Sequence, residues 1–322
     1  MASMAHLSRA SFALDSRARR EEEECMPELL QSVVTRRRFL ESAGLGVLVL
    51  GVRGLSAAGA DGEEKTFHIA LLSDTHLPAD KEEAFRGFKP WESFKKITPE
   101  VIEAKPELII LNGDAARLEG KVADYEAVQT LLQPMLDVAP VCIGMGNHDD
   151  RANFLTVFKA VAGEKQKIAN KHVLVIEHEL MRIAVLDSLL YTNKVAGMLG
   201  QPQREWLADW LPTVKDRPVI IFVHHTLGAA EGDIADVERL FALLEPHRHV
   251  KAIFYGHSHK WVLGERQGIK LINLPAVGYN FGDAEPVGWV DAKFRKTGVE
   301  LTLRAFGGNA VDNGKKFELK WT

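Results

Sequence analysis

The amino-acid sequence predicts an α/β fold in which short strands, buried on both faces, alternate with helices. Apolar runs at Phe67 to Leu72, Leu108 to Leu111, Val141 to Ile143, Val219 to Val223 and Ala252 to Tyr255 lack the polar alternation of a strand with one wet face. Stretches of helical length separate them, such as 91–104 and 122–136, as a βαβ arrangement requires. Each run also ends in a short polar cluster: Asp74-Thr75-His76, Asn112-Gly113-Asp114, Gly146-Asn147-His148-Asp149, His224-His225 and Gly256-His257-Ser258-His259. Loops at the carboxyl ends of such strands gather on one edge of the sheet, so segments far apart in sequence are expected to meet there.

Taken in order, strand 66–72 leads into the first cluster, and a polar insertion 78–90 is expected to lie over the site. Helix 91–104, strand 107–111, helix 122–136, strand 140–144 and helix 151–161 follow, each change marked by a shift from helical to continuous apolar spacing. Next come a hairpin of 173–179 with 181–187, helix 203–211, strand 218–223, helix 235–245 and strand 250–255. Strand-like runs 269–274, 286–293 and 298–305 are expected to complete a second sheet.

Composition bounds the function. With a net charge of −4 and 26% charged residues the chain carries no basic stripe for nucleic acid, and no nucleic-acid partner is expected. Of two cysteines, Cys142 lies in a strand run where a buried thiol is the default, and no disulfide framework is expected.

The five clusters supply carboxylate, imidazole and amide groups, the ligand set of a two-metal hydrolytic centre. Asp114 is the natural bridge. Asp74 and His76 can reach one ion together, and Asn147 offers an amide oxygen to the other. His257 and His259, two apart in a segment read as extended, can each address a different ion. A lone Asp-x-His or Gly-Asp is an ordinary turn or strand end and Gly256-His257-Ser258-His259 is the stronger piece; their order, each after an apolar run, gives them weight together.

The series Asp-x-His, Gly-Asp, Gly-Asn-His-Asp, His and Gly-x-His-x-His resembles the calcineurin-like metallophosphoesterase superfamily, and the resemblance covers roughly residues 66 to 305. The resemblance implies a metallo-dependent phosphatase-like, four-layer α/β/β/α sandwich of two mixed sheets flanked by helices. It implies Asp74, His76, Asp114 and His259 on one divalent ion and Asp114, Asn147, His224 and His257 on the other, with Mn, Fe or Zn all compatible. It further implies attack on phosphorus by a hydroxide between the ions, with His148 as the catalytic residue at the leaving oxygen. Arg151 is a candidate contact for a substrate phosphate and His225 for another part of the substrate. Asp149 is equally open to orienting a neighbour or serving the turn. Trp91, Tyr191, Asn193 and Tyr279 can shape the pocket or merely pack.

Purple acid phosphatases carry a tyrosine where this chain has Arg117 and lack a counterpart of His76, and protein Ser/Thr phosphatases have Gly-Asn-His-Glu in place of Gly146-Asn147-His148-Asp149. The string through Asp150 and Arg151, Leu186-Asp187-Ser188 followed by Gly200-Gln201, and the stretch around Trp206-Leu207 are similar instead to class III cyclic nucleotide phosphodiesterases and bacterial glycerophosphodiesterases. A small phosphodiester is therefore the expected substrate. A phosphomonoesterase, a nuclease and a non-catalytic, metal-stabilised binding domain are the alternatives.

The amino terminus carries a separate message. Thr35-Arg36-Arg37-Arg38-Phe39-Leu40, a weakly apolar stretch Ala43 to Val52 and the small residues Ala58-Gly59-Ala60 resemble a twin-arginine export signal. The apolar stretch is too short for a spanning helix of about 20 residues, so no stable membrane anchor is expected. Residues 1–60 are read as a leader region and 61–322 as the catalytic domain, with engagement of the export machinery and a periplasmic or extracytoplasmic destination. The acidic run Glu21 to Glu24 is unlike an export leader, and Met26 is read as the initiator.

Overall fold

The computed structural model describes residues 64–322, so the leader reading, including the arginines and Met26, lies outside the described residues. Residues Gly62–Thr322 form a single unit of the chain.

Thirteen strands and five α-helices are defined among the described residues. In the first half they are β1 (Phe67–Leu72), α1 (Pro90–Ala104), β2 (Leu108–Leu111), α2 (Val122–Leu136), β3 (Val141–Ile143), α3 (Arg151–Val157), β4 (Glu164–Lys165), β5 (Leu174–Glu177) and β6 (Arg182–Val185). The second half holds α4 (Gln201–Trp210), β7 (Val219–Phe222), α5 (Val237–Leu244), β8 (Val250–Tyr255), β9 (Val262–Arg266), β10 (Ile269–Asn273), β11 (Pro286–Arg295), β12 (Gly298–Gly308) and β13 (Lys316–Lys320).

Two sheets result, with strand orders β13-β12-β11-β1-β2-β3 and β4-β5-β6-β7-β8-β10-β9. In the first, β1, β2 and β3 run parallel while β11 joins β1 antiparallel. In the second, β6, β7, β8 and β10 are parallel, and β5 and β9 flank them antiparallel. Alternating residues of each central strand feed different layers. Ile69 and Leu71 of β1 and Ile220 and Phe222 of β7 enter the core between the sheets. Ala70 and Leu72 pack outward with Phe94, Ile97 and Val128 of α1 and α2, and Val219 and Ile221 pack outward with Leu207 and Phe241 of α4 and α5. Burial on both faces explains the unbroken apolar runs, and the layers are those of an α/β/β/α sandwich.

Three expectations change. The run 269–274 lies in the second sheet beside β8, but 286–293 and 298–305 extend the first sheet from β1. Strand pairing across some 200 residues of sequence depends on which inner face each apolar set completes, which local spacing does not encode. The helix read as 151–161 ends at Val157, because Phe158 turns extended and Ala162 donates its N–H to the Val141 carbonyl (2.9 Å). Strands β9 and β13, with largely exposed edge patterns, carry too little apolar signal to be read from sequence. No helix among the described residues is long and apolar enough to cross a membrane.

Candidate metal centre

The carboxyl ends of β1, β2 and β3 from one sheet and of β7 and β8 from the other meet at one edge of the sandwich. Backbone bonds hold the loops together: Asp74 N–H donates to Gly113 O (3.1 Å), His76 N–H to Asp114 O (2.9 Å) and Gly256 N–H to His224 O (2.8 Å). The Asn112 side chain crosses between sheets to donate to Val223 O (3.1 Å).

Asp74, His76, Asp114, His257 and His259 all have left-handed backbone, with φ of 52°, 44°, 49°, 68° and 53°. For non-glycine residues this conformation costs roughly 1–3 kcal/mol each and persists only where the surroundings enforce it. His257 and His259 therefore do not lie in extended chain as the i, i+2 argument supposes; two left-handed residues around Ser258 aim the rings. Glycine makes room for the crowding. A Cβ on Gly146 would overlap the Asp114 carboxylate, and one on Gly256 would meet Ser73 and the Asp74 carboxylate.

Ligand atoms of Asp74, His76 and His259 lie within 4.8 Å of one another, as do those of Asp114, His224 and His257, and those of His76, Asp114 and His148. Asp114 Oδ2 is 3.2 Å from His224 Nε2 and 3.7 Å from His76 Nε2, which places its carboxylate between the first two groups. Asp74 Oδ1 lies 3.3 Å from His259 Nε2. Asn147 Oδ1 joins the second group, 2.9 Å from His257 Nδ1.

Whether this cluster suits metal ions can be tested on its protons. His76, His259 and His224 each use Nδ1 to donate to a backbone carbonyl, of Arg117 (3.1 Å), Tyr279 (2.6 Å) and Asn112 (2.9 Å) respectively. Carbonyls only accept, so each neutral ring must carry its lone pair on Nε2. Yet His76 Nε2 and His259 Nε2 face each other at 3.0 Å. Two lone pairs at that separation repel unless something positive lies between them. Burial pushes the His76 pKa down to about 3, so that ring resists carrying a second proton itself. His224 Nε2 is buried, with the Asp114 carboxylate 3.2 Å away. Burial opposes ionisation of Asp74 and Asp114, yet the neighbouring histidines, His224 foremost, hold both carboxyls well below their ordinary range. Likewise, burial disfavours a charged His224, but Asp114 and Asp74 outweigh it and push that pKa up to about 10. The pocket demands positive charge and offers nitrogen and carboxylate donors, so its two adjacent halves fit a pair of divalent cations.

His148 stands beside these groups with its N–H on Asp114 Oδ1 (2.8 Å) and its Nδ1 on Leu118 O (2.9 Å), leaving Nε2 toward the cluster of His76 and Asp114. Asp149 is fully buried and serves the loops: Gly146 N–H (2.8 Å) and Tyr125 O–H (3.0 Å) donate to it, with longer bonds from Ala115 and Ala116. Burial, reinforced by Asp114, pushes its pKa up to about 6.

The two candidate substrate contacts both have partners within the protein. The Nε and Nη2 of Arg151 fork onto the buried Asp187 carboxylate at 2.6 and 2.7 Å, and Nη2 also donates to Leu189 O. His225 is wholly buried against the His224 and His257 rings, with Nδ1 2.7 Å from Ser188 Oγ. The insertion 78–90 does reach the centre's neighbourhood, because Phe85 packs on Tyr279, whose ring is 4.9 Å from those of His76 and His259. Phe281, which stacks on His259 at 4.1 Å, escaped the sequence reading. Its only signal is an aromatic pair, Tyr279 and Phe281, in the loop beyond a strand-like run.

Known proteins are similar to this chain. A 3′,5′-cyclic-nucleotide phosphodiesterase of Nostoc sp. is 26% identical over 231 residues, covering 68% of this chain and 81% of that protein. A glycerophosphodiester phosphodiesterase of Enterobacter lignolyticus is 25% identical over 230 residues, with the same coverage of 68% and 81%. Among solved structures, a dimetal phosphatase from Danio rerio superposes with a TM-score of 0.63 at 15% identity, covering 80% of this chain and 99% of that one. A purple acid phosphatase from yellow lupin gives 0.61 at 15% identity over 80% and 54% of the two chains, a likeness of fold. The model of the calcineurin-like phosphoesterase family matches residues 67–261, which span all five clusters, and the chain belongs to that family of metal-dependent phosphoesterases.

Proposed function

We propose that the protein hydrolyses small phosphodiesters, with Asp74, His76, Asp114 and His259 holding one divalent cation and Asp114, Asn147, His224 and His257 the other. The observation that carries the metal assignment is the facing pair of His76 and His259 Nε2 atoms, each ring locked by a carbonyl on Nδ1. Two relatives named as phosphodiesterases support the choice of diester over monoester.

When bound, two such cations supply Lewis acidity at the phosphoryl oxygens and ease deprotonation of water. The chain's own part is positional. Asp114 spans the two halves, and its Oδ1 orients the His148 backbone. The Leu118 carbonyl fixes the His148 ring so that Nε2 is free to hydrogen-bond or protonate the leaving oxygen. Asp149 pins the loops carrying Asp114 and Asn147 against Tyr125.

The test is His148→Ala in the metal-loaded protein. Metal content should stay at two ions while turnover of bis(p-nitrophenyl) phosphate falls by about 10²–10⁴-fold. Undiminished turnover would remove His148 from the mechanism. A wild type without metal-dependent turnover would leave a metal-stabilised binding domain.

A further inference from the structure

Two aromatic rings stand partly exposed at the edge of this centre. Phe281 is 47% exposed and Phe85 37% exposed, whereas Tyr279 between them is 3% exposed. Phe281 stacks nearly parallel on His259, at 4.1 Å between centroids and 23° between planes. Phe85 leans on Tyr279 at 4.6 Å, and Tyr279 in turn backs both His76 and His259. Phe281 thus touches a candidate ligand directly, and Phe85 is one ring removed from two of them.

Their placement is built into the backbone. Phe85 and Phe88 exchange both backbone hydrogen bonds (2.8 and 2.9 Å) across a turn in which Arg86 and Gly87 are left-handed, with φ of 49° and 82°. From that turn Arg86 donates to the Phe281 carbonyl (2.8 Å), and its guanidinium carbon lies 5.5 Å from the Phe281 centroid and 5.8 Å from that of Phe85. Arg117, paired with Glu83, also lies over Phe85, at 5.0 Å. Phe281 and Phe85, both partly exposed and both beside the Arg86 guanidinium, put aromatic surface next to positive charge at the edge of the centre. That combination suits a flat ring attached to an anion.

We propose that Phe281, Phe85 and Arg86 form a stacking platform that selects phosphate esters bearing a flat aromatic substituent, with Phe281 as its principal specificity-determining residue. The proposal rests on the hydrolytic reading above. Esters with a small alkyl or polyol substituent have no flat face to stack, so the platform separates the two kinds of diester. Stacking of a ring on an aromatic side chain is commonly worth about tenfold or more in affinity.

Equilibrium binding to the metal-loaded protein, measured by calorimetry, tests it without reference to turnover. 5′-AMP and ribose 5-phosphate share phosphate and sugar and differ in the ring. The wild type should bind 5′-AMP about tenfold more tightly, Phe281→Ala should reduce that ratio to near one, and Phe281→Tyr should restore it. Metal content and thermal midpoint confirm that each variant is folded. Phenyl phosphate against ethyl phosphate separates the sources: a matching preference assigns the platform to flat rings in general, and none assigns it to nucleobases. Equal affinity of the wild type for 5′-AMP and ribose 5-phosphate, no measurable binding of either, or a preference that survives Phe281→Ala overturns the platform. Loss of the hydrolytic reading is signalled separately, by a wild type with no metal-dependent diester turnover.

Discussion

Replacing Arg151 by Met removes a guanidinium that forks onto Asp187 with two bonds of 2.6 and 2.7 Å while retaining most of the apolar stem. Asp187 has no exposed surface, so its charge cannot turn to water. Removing one partner of a buried pair typically costs about 3–5 kcal/mol. Here the Arg151 side chain is 23% exposed. The carboxylate also keeps the His172 and Leu189 N–H groups (2.7 and 3.0 Å), with the Lys171 ammonium 3.9 Å away. A cost of about 2–3 kcal/mol is therefore expected. At roughly 2–4 °C per kcal/mol for a domain of this size, the thermal midpoint should fall by about 4–12 °C. Because the arginine is spent on Asp187, kcat/KM of the folded variant should remain within about threefold of wild type, as measured below its midpoint with saturating metal. An unchanged midpoint with a loss of tenfold or more in kcat/KM would refute the structural assignment and return Arg151 to the substrate.

Gly146→Ala places a methyl group on the Asp114 carboxylate. Displacing that group should lower the metal content below two ions per chain by mass spectrometry and reduce diester turnover by about 10²-fold; full metal occupancy would contradict the crowding argument. The leader reading predicts that residues 26–60 direct a folded reporter across the bacterial inner membrane. Combined Arg36→Lys and Arg37→Lys should abolish export in a fractionation assay, and export that persists would sink the twin-arginine reading.

The metal-site residues were legible because each lies in a short loop directly after a strand whose unbroken apolar run marks burial on both faces. Asp74, Asp114, Asn147, His224 and His257 could be collected at one edge with no knowledge of which sheet each strand joins. Arg151 and His225 show where that reasoning stops. Both sit beside candidate ligands, but their side chains answer to Asp187 and Ser188, partners that proximity in sequence does not reveal. Phe281 was invisible for a related reason, since an aromatic residue in a loop is ordinary until its ring is found against His259.

Residue type and local periodicity, properties of short segments, suffice for the α/β class, the ligand chemistry and the strand ends that carry it. That β11 and β12 extend the first sheet, that the histidine nitrogens face one another, and which polar neighbours serve the scaffold follow from the folded arrangement alone. Those outcomes depend on contacts between distant segments and on left-handed backbone at Asp74, His76, Asp114, His257 and His259, a conformation their own residue types disfavour and the surrounding packing imposes.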